Sequence, residues 1–321
     1  TSVEEMVDEL AYRLYLGGKV KDMHPEAGFQ ERLTLLEKQF RHAGVLLHKH
    51  GTLPLGIEQL WTHPRMLDVA QQILGPDIAG HPVWNLRCKT PEALSEGQAT
   101  VPWHQDISYL DEECWSVLQL TAWIPLVDAT LENGCMQMVR AGHKTGRAGT
   151  HTCCVGGTWY TEISEDEIRS TLGVDPDAET VTCEVPLGSI LFLNNLIPHR
   201  SLPNTTDGIR WSLDLRWQHP ELPNGFHGLK ESVLMRSSQN KDFTPDLAEW
   251  GARNRTEMQI NSIKEDVKSR VAAAHAEEYG EQVEADFDTT IAGPWMHRWE
   301  LVHHNRHTAM LKDEGMHGWH A

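Results

Sequence analysis

The sequence predicts a core of β-strands braced from outside by helices, and three observations predict it. Residues 209–217 alternate cleanly, with Arg210, Ser212, Asp214 and Arg216 on one face and Trp211, Leu213, Leu215 and Trp217 on the other, the period of two of a strand between two different environments. The turn Pro186-Leu187-Gly188-Ser189 feeds an apolar run through Leu193, as turns feed strands. Ahead of both lie two segments with helix signals at their ends. Ser2-Val3-Glu4-Glu5 has the form of a capping box and opens a polar helix containing Leu10, Ala11 and Leu14. A second helix is expected from His63 to Leu74, with Pro64 in its first turn and Gly75 just past its end.

The elements between and beyond these follow in order. Trp84-Asn85-Leu86-Arg87-Cys88-Lys89 alternates and places Asn85, Arg87 and Lys89 on one face of a strand. Trp103-His104-Gln105-Asp106-Ile107-Ser108-Tyr109 reads as a short strand, in which His104 and Asp106 point the same way. Residues 148–173, with Trp159, Tyr160 and a capped helix from Ser164, read as an insertion between strands, either a lid or a plain surface loop. Residues 246–276 are helical and charged until Gly293-Pro294-Trp295 interrupts the pattern. With 321 residues, no Ser/Gly-rich linker and no repeat, a single domain is expected. It divides into N-terminal helices 1–75, a core at about 76–220 and a helical extension 221–321.

Chemistry gathers at His104, Asp106 and His199. An H-x-D pair alone is expected about once by chance in a chain this rich in both residues. Two imidazoles and a carboxylate on a rigid sheet, however, can occupy one face of a ferrous ion and leave three positions for an organic co-substrate and dioxygen. Pro198 fixes the backbone before His199. On the strand beyond, Arg210 offers a planar fork suited to a small dicarboxylate. The competing reading of that polar face is an internal ion pair, Arg210 or Arg216 with Asp214.

Taken together, Trp103-His104-Gln105-Asp106 with Tyr109, Trp123-Ile124-Pro125-Leu126, Glu132-Asn133-Gly134-Cys135, Gly142-His143-Lys144, the Pro186 to Phe192 turn and strand, His199-Arg200-Ser201 and Arg210 resemble the phytanoyl-CoA dioxygenase family over roughly Gly75 to Trp217. The resemblance implies an all-β core, a double-stranded β-helix or jelly roll. It implies that His104, Asp106 and His199 bind Fe(II) as the catalytic centre, and that 2-oxoglutarate chelates the iron while Arg210 grips its far carboxylate. Ser201, Trp123 and Asn85 take the family's remaining co-substrate positions, and a further contact falls near His48 or Lys49. The implied reaction consumes O2, releases succinate and carbon dioxide and hydroxylates an unactivated C–H bond of a small molecule. Halogenating relatives lack the carboxylate ligand, so Asp106 points away from halogenation. Two other functions compete: a zinc hydrolase, for which no dedicated base is evident, and a non-catalytic binding protein, which would be expected to lose one of these four residues.

Composition narrows the partners. A formal net charge of -18 argues against a general nucleic-acid binder. No apolar stretch is long enough to span a bilayer, and Thr-Ser-Val-Glu-Glu lacks a signal peptide's charged and apolar regions. With no Ser-Lys-Leu at the final residues, the expectation is a cytoplasmic protein that does not bind membranes and can form a homodimer. The six cysteines include no C-x-x-C pair, and the vicinal Cys153-Cys154 reads as two ordinary thiols. Among the histidines of the last 25 residues, His303 and His307 could share a helix face and a second metal, though solvent-facing or interfacial histidines are the plainer reading.

Spare positive charge at Arg87, Lys89 and Arg216 suggests a substrate with an acidic group, with ordinary surface ion pairs as the alternative. The 12 tryptophans suggest instead an apolar or cationic one.

Overall fold

A computed structural model describes residues 1–255 and 289–311. The strands are β1 (Ile78–Gly80), β2 (Asn85–Lys89), β3 (Leu120–Pro125), β4 (Met136–Val139), β5 (Thr152–Cys153), β6 (Thr161–Glu162), β7 (Thr180–Cys183), β8 (Leu191–Asn194), β9 (His199–Ser201), β10 (Arg210–Gln218), β11 (Val233–Arg236) and β12 (Glu300–Leu301). A large antiparallel sheet runs β11-β1-β10-β3-β8, and β2 pairs β10 beside β1. A smaller antiparallel sheet runs β7-β4-β9. Trp123 and Leu193 of the large sheet share one buried cluster with Met136 of the small one, so the two sheets make the sandwich of a double-stranded β-helix.

The long alternating strand decides what each face meets. Trp211, Leu213, Leu215 and Trp217 of β10 join the largest apolar cluster together with the helices α1 (Ser2–Leu16), α2 (Arg32–Gln39), α3 (Leu55–Trp61) and α4 (Pro64–Leu74). Leu10 and Leu14 of α1, Leu33 and Leu36 of α2, and Trp61 of α3 are fully or nearly fully buried there. The helices brace the outer face, as the sequence predicts, and the polar face is left to look into the sandwich. It is buried as well: every residue of β10 is.

Several boundaries shift. The capping box is made by Thr1 and Glu4 and not by Ser2 and Glu5, because the hydroxyl must stand outside the first turn to reach its amides. The helix expected from His63 has His63 as its N-cap and runs Pro64–Leu74. The strand expected over 103–109 is absent: His104 makes a single bridge to His199 and residues Asp106–Tyr109 form a 3-10 turn. Cys153 and Cys154 are joined as a disulfide across a cis peptide bond, in place of the two thiols expected, while Cys88, Cys114, Cys135 and Cys183 are free. Of the charged helical stretch, Ala248–Ala252 is a helix and residues from 256 fall outside the described part, as do His317 and His320. No helix among the described residues is long and apolar enough to cross a membrane.

Candidate metal centre

His104 and His199 are set side by side by their own backbones. Each peptide nitrogen donates to the other's carbonyl oxygen at 3.0 Å, and the imidazole centroids lie 4.1 Å apart. The two rings are oriented by the same local device, a bond from Nδ1 to the carbonyl oxygen two residues earlier, Pro102 for His104 and Ile197 for His199, both at 2.9 Å. A carbonyl only accepts, so Nδ1 carries the proton and Nε2 presents a lone pair. Burial, reinforced by the neighbouring His104, lowers the pKa of His199 to about 4, which keeps that lone pair available at neutral pH.

Asp106 completes the set from the first residue of the 3-10 turn. Its Oδ1 lies 3.5 Å from Nε2 of His104 and 3.7 Å from Nε2 of His199. All three residues are buried, and their ligand atoms lie within 4.8 Å of one another, a group that could hold a metal ion. Oδ2 is taken by Arg216, whose Nη2 donates to it at 2.8 Å. Burial by itself would raise the Asp106 pKa, but the Arg216 charge holds it well below the usual carboxylate range. One oxygen is therefore pinned and the other faces the imidazoles.

Gln105, between the two ligands, acts as a clasp. Its side chain donates to the carbonyl oxygens of Arg147 and Leu196 and accepts from the Gly149 amide, while its own amide donates to Nε2 of His151. The 3-10 turn is thereby fastened to both flanking loops, which is why His104 and Asp106 converge without a strand.

The triad opens on a cavity of about 710 Å³, part of it continuous with solvent. Arg210, Ser201 and Trp123 line it with the triad. Arg210 donates from Nη1 to Ser212 Oγ at 2.9 Å and stacks with its guanidinium carbon 5.1 Å from the Trp123 ring centre. Its Nε is buried without a partner, and among the described residues it forms no ion pair with a carboxylate. Burial, helped by the Arg87 charge, pulls its pKa down to about 10. Ser201 Oγ accepts from the Val101 amide at 2.9 Å, which leaves its proton free for another acceptor.

Asn85 departs from expectation: it does not line the cavity. Its Oδ1 accepts from His48 Nδ1 at 3.3 Å and from Arg255 Nη2 at 3.4 Å, so it stands behind His48, which does line it. Lys49 is directed elsewhere, its Nζ donating to the Thr290 carbonyl oxygen. The ion-pair reading of β10 holds in part. Asp214 binds Arg87 at 2.5 Å and lies 3.8 Å from Arg216, whereas Arg210 is left out. His303 is exposed, and His307 accepts from the Ile291 amide on a separate 3-10 turn. The triad is the one group among the described residues with metal-holding geometry.

The sequence reading missed the Arg216 to Asp106 bond and the role of Gln105. Alternation put Arg216 on the correct face, but its partner is 110 residues away, and no local pattern links them.

The phytanoyl-CoA dioxygenase family model matches residues 22–212, more than half of the chain, and the protein belongs to this family. Two curated relatives are 1-deoxypentalenic acid 11-beta-hydroxylases. That of Streptomyces arenae is 27% identical over 195 residues, 58% of this chain and 63% of the relative. That of Streptomyces exfoliatus is 26% identical over 179 residues, 54% of this chain and 60% of the relative. The matched segment thus spans less than two thirds of either relative. Among solved structures, an apo non-heme monooxygenase, ThoJ, superposes with a TM-score of 0.51 at 22% identity, covering 81% of this chain and 90% of its own, which supports the shared fold.

Proposed function

We propose that the protein is an Fe(II)- and 2-oxoglutarate-dependent oxygenase that hydroxylates a small molecule at an unactivated C–H bond, with succinate and carbon dioxide as by-products. The observation that carries this reading is the coexistence, in one cavity, of a histidine–histidine–aspartate face and a buried guanidinium with no carboxylate of its own among the described residues. The donor set suits iron: two imidazoles presenting Nε2 and one ionised carboxylate presenting Oδ1. A metal hydrolase would give Arg210 no task, whereas a dicarboxylate co-substrate does.

His104, His199 and Asp106 would hold the metal, which, with 2-oxoglutarate and O2, supplies the oxidising equivalent for C–H cleavage. Arg210 would bind the far carboxylate through its free N–H groups, with the Ser201 hydroxyl donating beside it and the Trp123 ring walling the site. Asn85 would act indirectly, by fixing the ring of His48. Arg216 would keep Asp106 ionised and hold its Oδ2 away from the metal. The hydroxylase activity named for both curated relatives supports oxygen insertion over other outcomes, and the retained carboxylate ligand argues against halogenation.

The test is anaerobic titration of metal-free protein with Fe(II) and 2-oxoglutarate, read by the weak visible charge-transfer band of the chelate. The band is expected in the wild type and absent in His199→Ala. Its absence from the wild type would overturn the assignment.

A further inference from the structure

Arg87 is the charged group of this cavity that the metal and 2-oxoglutarate leave unused. We infer that it is the docking point for the carboxylate of a small monoanionic organic acid, the substrate. This deepens the reading above and rests on it.

The first support is charge. Arg87, Arg200, Arg210 and Arg216 line the cavity against two carboxylates, Asp106 and Asp214, and burial pulls the pKa of the fifth basic group, Lys89, well below the usual lysine range. A ferrous ion brings two positive charges and 2-oxoglutarate two negative ones, so their arrival leaves the excess unchanged. A low-dielectric cavity with unbalanced cations selects an anion.

Geometry names which cation receives it. Arg216 bridges Asp106 and Asp214, at 2.8 and 3.8 Å. Lys89 donates to the Ala99 carbonyl oxygen and the Thr100 hydroxyl. Arg200 is drawn aside to Gln137 and the Trp103 ring. Arg87 donates only from Nε, to Asp214 at 2.5 Å, and among the described residues neither of its Nη groups has a partner. Its side chain is 23% exposed where that of Asp214 is 4% and that of Arg216 is 7%. Tyr160, which lines the same cavity, likewise has a hydroxyl without a hydrogen bond among the described residues.

An alternating line of charges therefore runs from the metal ligand: Asp106, Arg216, Asp214, Arg87. Its far end presents two free NH2 groups in a fixed plane, the fork that matches a carboxylate. Asp214 beside it disfavours a second negative charge, so a monoanion fits better than a phosphate. An acid anchored there would have its carbon body between Arg87 and the metal, where a C–H bond is needed.

The experiment compares acids with their uncharged analogues. Benzoate, cyclohexanecarboxylate, decanoate and indole-3-acetate, each beside its primary amide, are titrated by ligand-observed NMR into protein loaded with Zn(II) and 2-oxoglutarate. The Fe(II) chelate band is recorded for the same preparations. The inference expects at least one acid to bind about tenfold or more tightly than its amide in the wild type, and that preference to fall below threefold in Arg87→Met with 2-oxoglutarate binding retained. Tyr160→Phe, which leaves the Arg87 to Asp214 pair intact, is expected to weaken the preference about threefold and decides the matter should Arg87→Met fail to fold. Equal binding of acids and amides across the panel, or no binding of any acid, overturns the inference, as does a preference that survives Arg87→Met (or Tyr160→Phe where Arg87→Met does not fold), or an Arg87→Met variant that loses 2-oxoglutarate instead. Failure of the chelate band in wild type would count against the oxygenase reading itself, separately from these outcomes.

Discussion

Replacing Arg210 with Met should make the protein more stable and its 2-oxoglutarate site far weaker. A guanidinium moved into a protein interior carries an effective desolvation penalty of several kcal/mol. Against it the structure sets one hydrogen bond to Ser212 and the stacking on Trp123, worth about 1.5–3 and about 2 kcal/mol respectively. These offsets fall short by a little, and Nε remains unpaired. Met keeps the apolar stem and removes the charge, so a gain of roughly 1–2 kcal/mol is expected, or about 1.5–3 °C in Tm for a chain of this size. The co-substrate loses a buried charge pair, about 3–5 kcal/mol, which is roughly two to nearly four orders of magnitude in affinity. Differential scanning calorimetry of metal-free protein, with 2-oxoglutarate titrations of the chelate band, reads both quantities. Destabilisation by more than about 1 kcal/mol would show that Arg210 is a structural residue with a partner in the fold, and a fall in affinity below tenfold would refute its role as the anchor.

Three further predictions follow from neighbouring residues. Arg216→Met leaves Asp106 buried beside the two imidazoles without its guanidinium; metal-free protein should lose about 3–5 kcal/mol and Fe(II) affinity should fall about 10- to 100-fold, and unchanged metal titrations would exclude a positioning role. His81 and His151, whose pKa values burial lowers to about 3, each accept a backbone N–H at one ring nitrogen, so the unfolded chain takes up their protons first. Their stabilisation is complete above about pH 6.5 and lost as the pH falls toward 3, by up to ~1.4 kcal/mol per pH unit for each; denaturation curves at pH 7 and 5 that coincide would contradict this. At Gly134→Ala, the added Cβ would lie 2.3 Å from the Leu202 carbonyl oxygen and 2.5 Å from Lys89 Cδ, at a φ of +82°; a loss of about 2–4 kcal/mol is expected, and a loss below 1 kcal/mol in chemical denaturation would show that the loop yields.

What the sequence made legible was whatever repeats or terminates locally. The period of two in β10 separated a tryptophan- and leucine-bearing face from an arginine- and aspartate-bearing one, and both faces are found as expected. Pro64 and Gly75 marked the ends of α4 to within a residue. The triad was legible because two of its members are two residues apart and the third follows a proline. The geometry that brings them together was not. Spacing suggested a strand, yet convergence comes from a reciprocal bridge to His199 and a 3-10 turn clasped by Gln105. Nor could the sequence assign Arg216, Asp214 and Arg87 to partners, since alternation fixes the face of a residue and not its neighbour on another strand. Asn85 shows the same limit: it lies on β2 beside the cavity and its amide is turned to His48 and Arg255.

The two faces of β10 are joined by electrostatics as well as by backbone. The helix layer keeps water from Trp211, Leu213, Leu215 and Trp217 on the outer side, so the inner side lies against a low-dielectric wall where charge interactions are strong and poorly screened. That is the condition under which the spacing of Arg210, Asp214 and Arg216 along one strand matters. Arg216 is held between Asp106 and Asp214, and Asp214 is bound by Arg87, while Arg210, which forms no ion pair with a carboxylate among the described residues, is held near one hydroxyl and one ring. A strand that neutralised all its charges would be more stable and would have nothing left to bind a dicarboxylate. A guanidinium left without a carboxylate among the described residues is what the proposed co-substrate anchor requires, and its position on a strand covered by apolar helices makes its burial costly enough to measure.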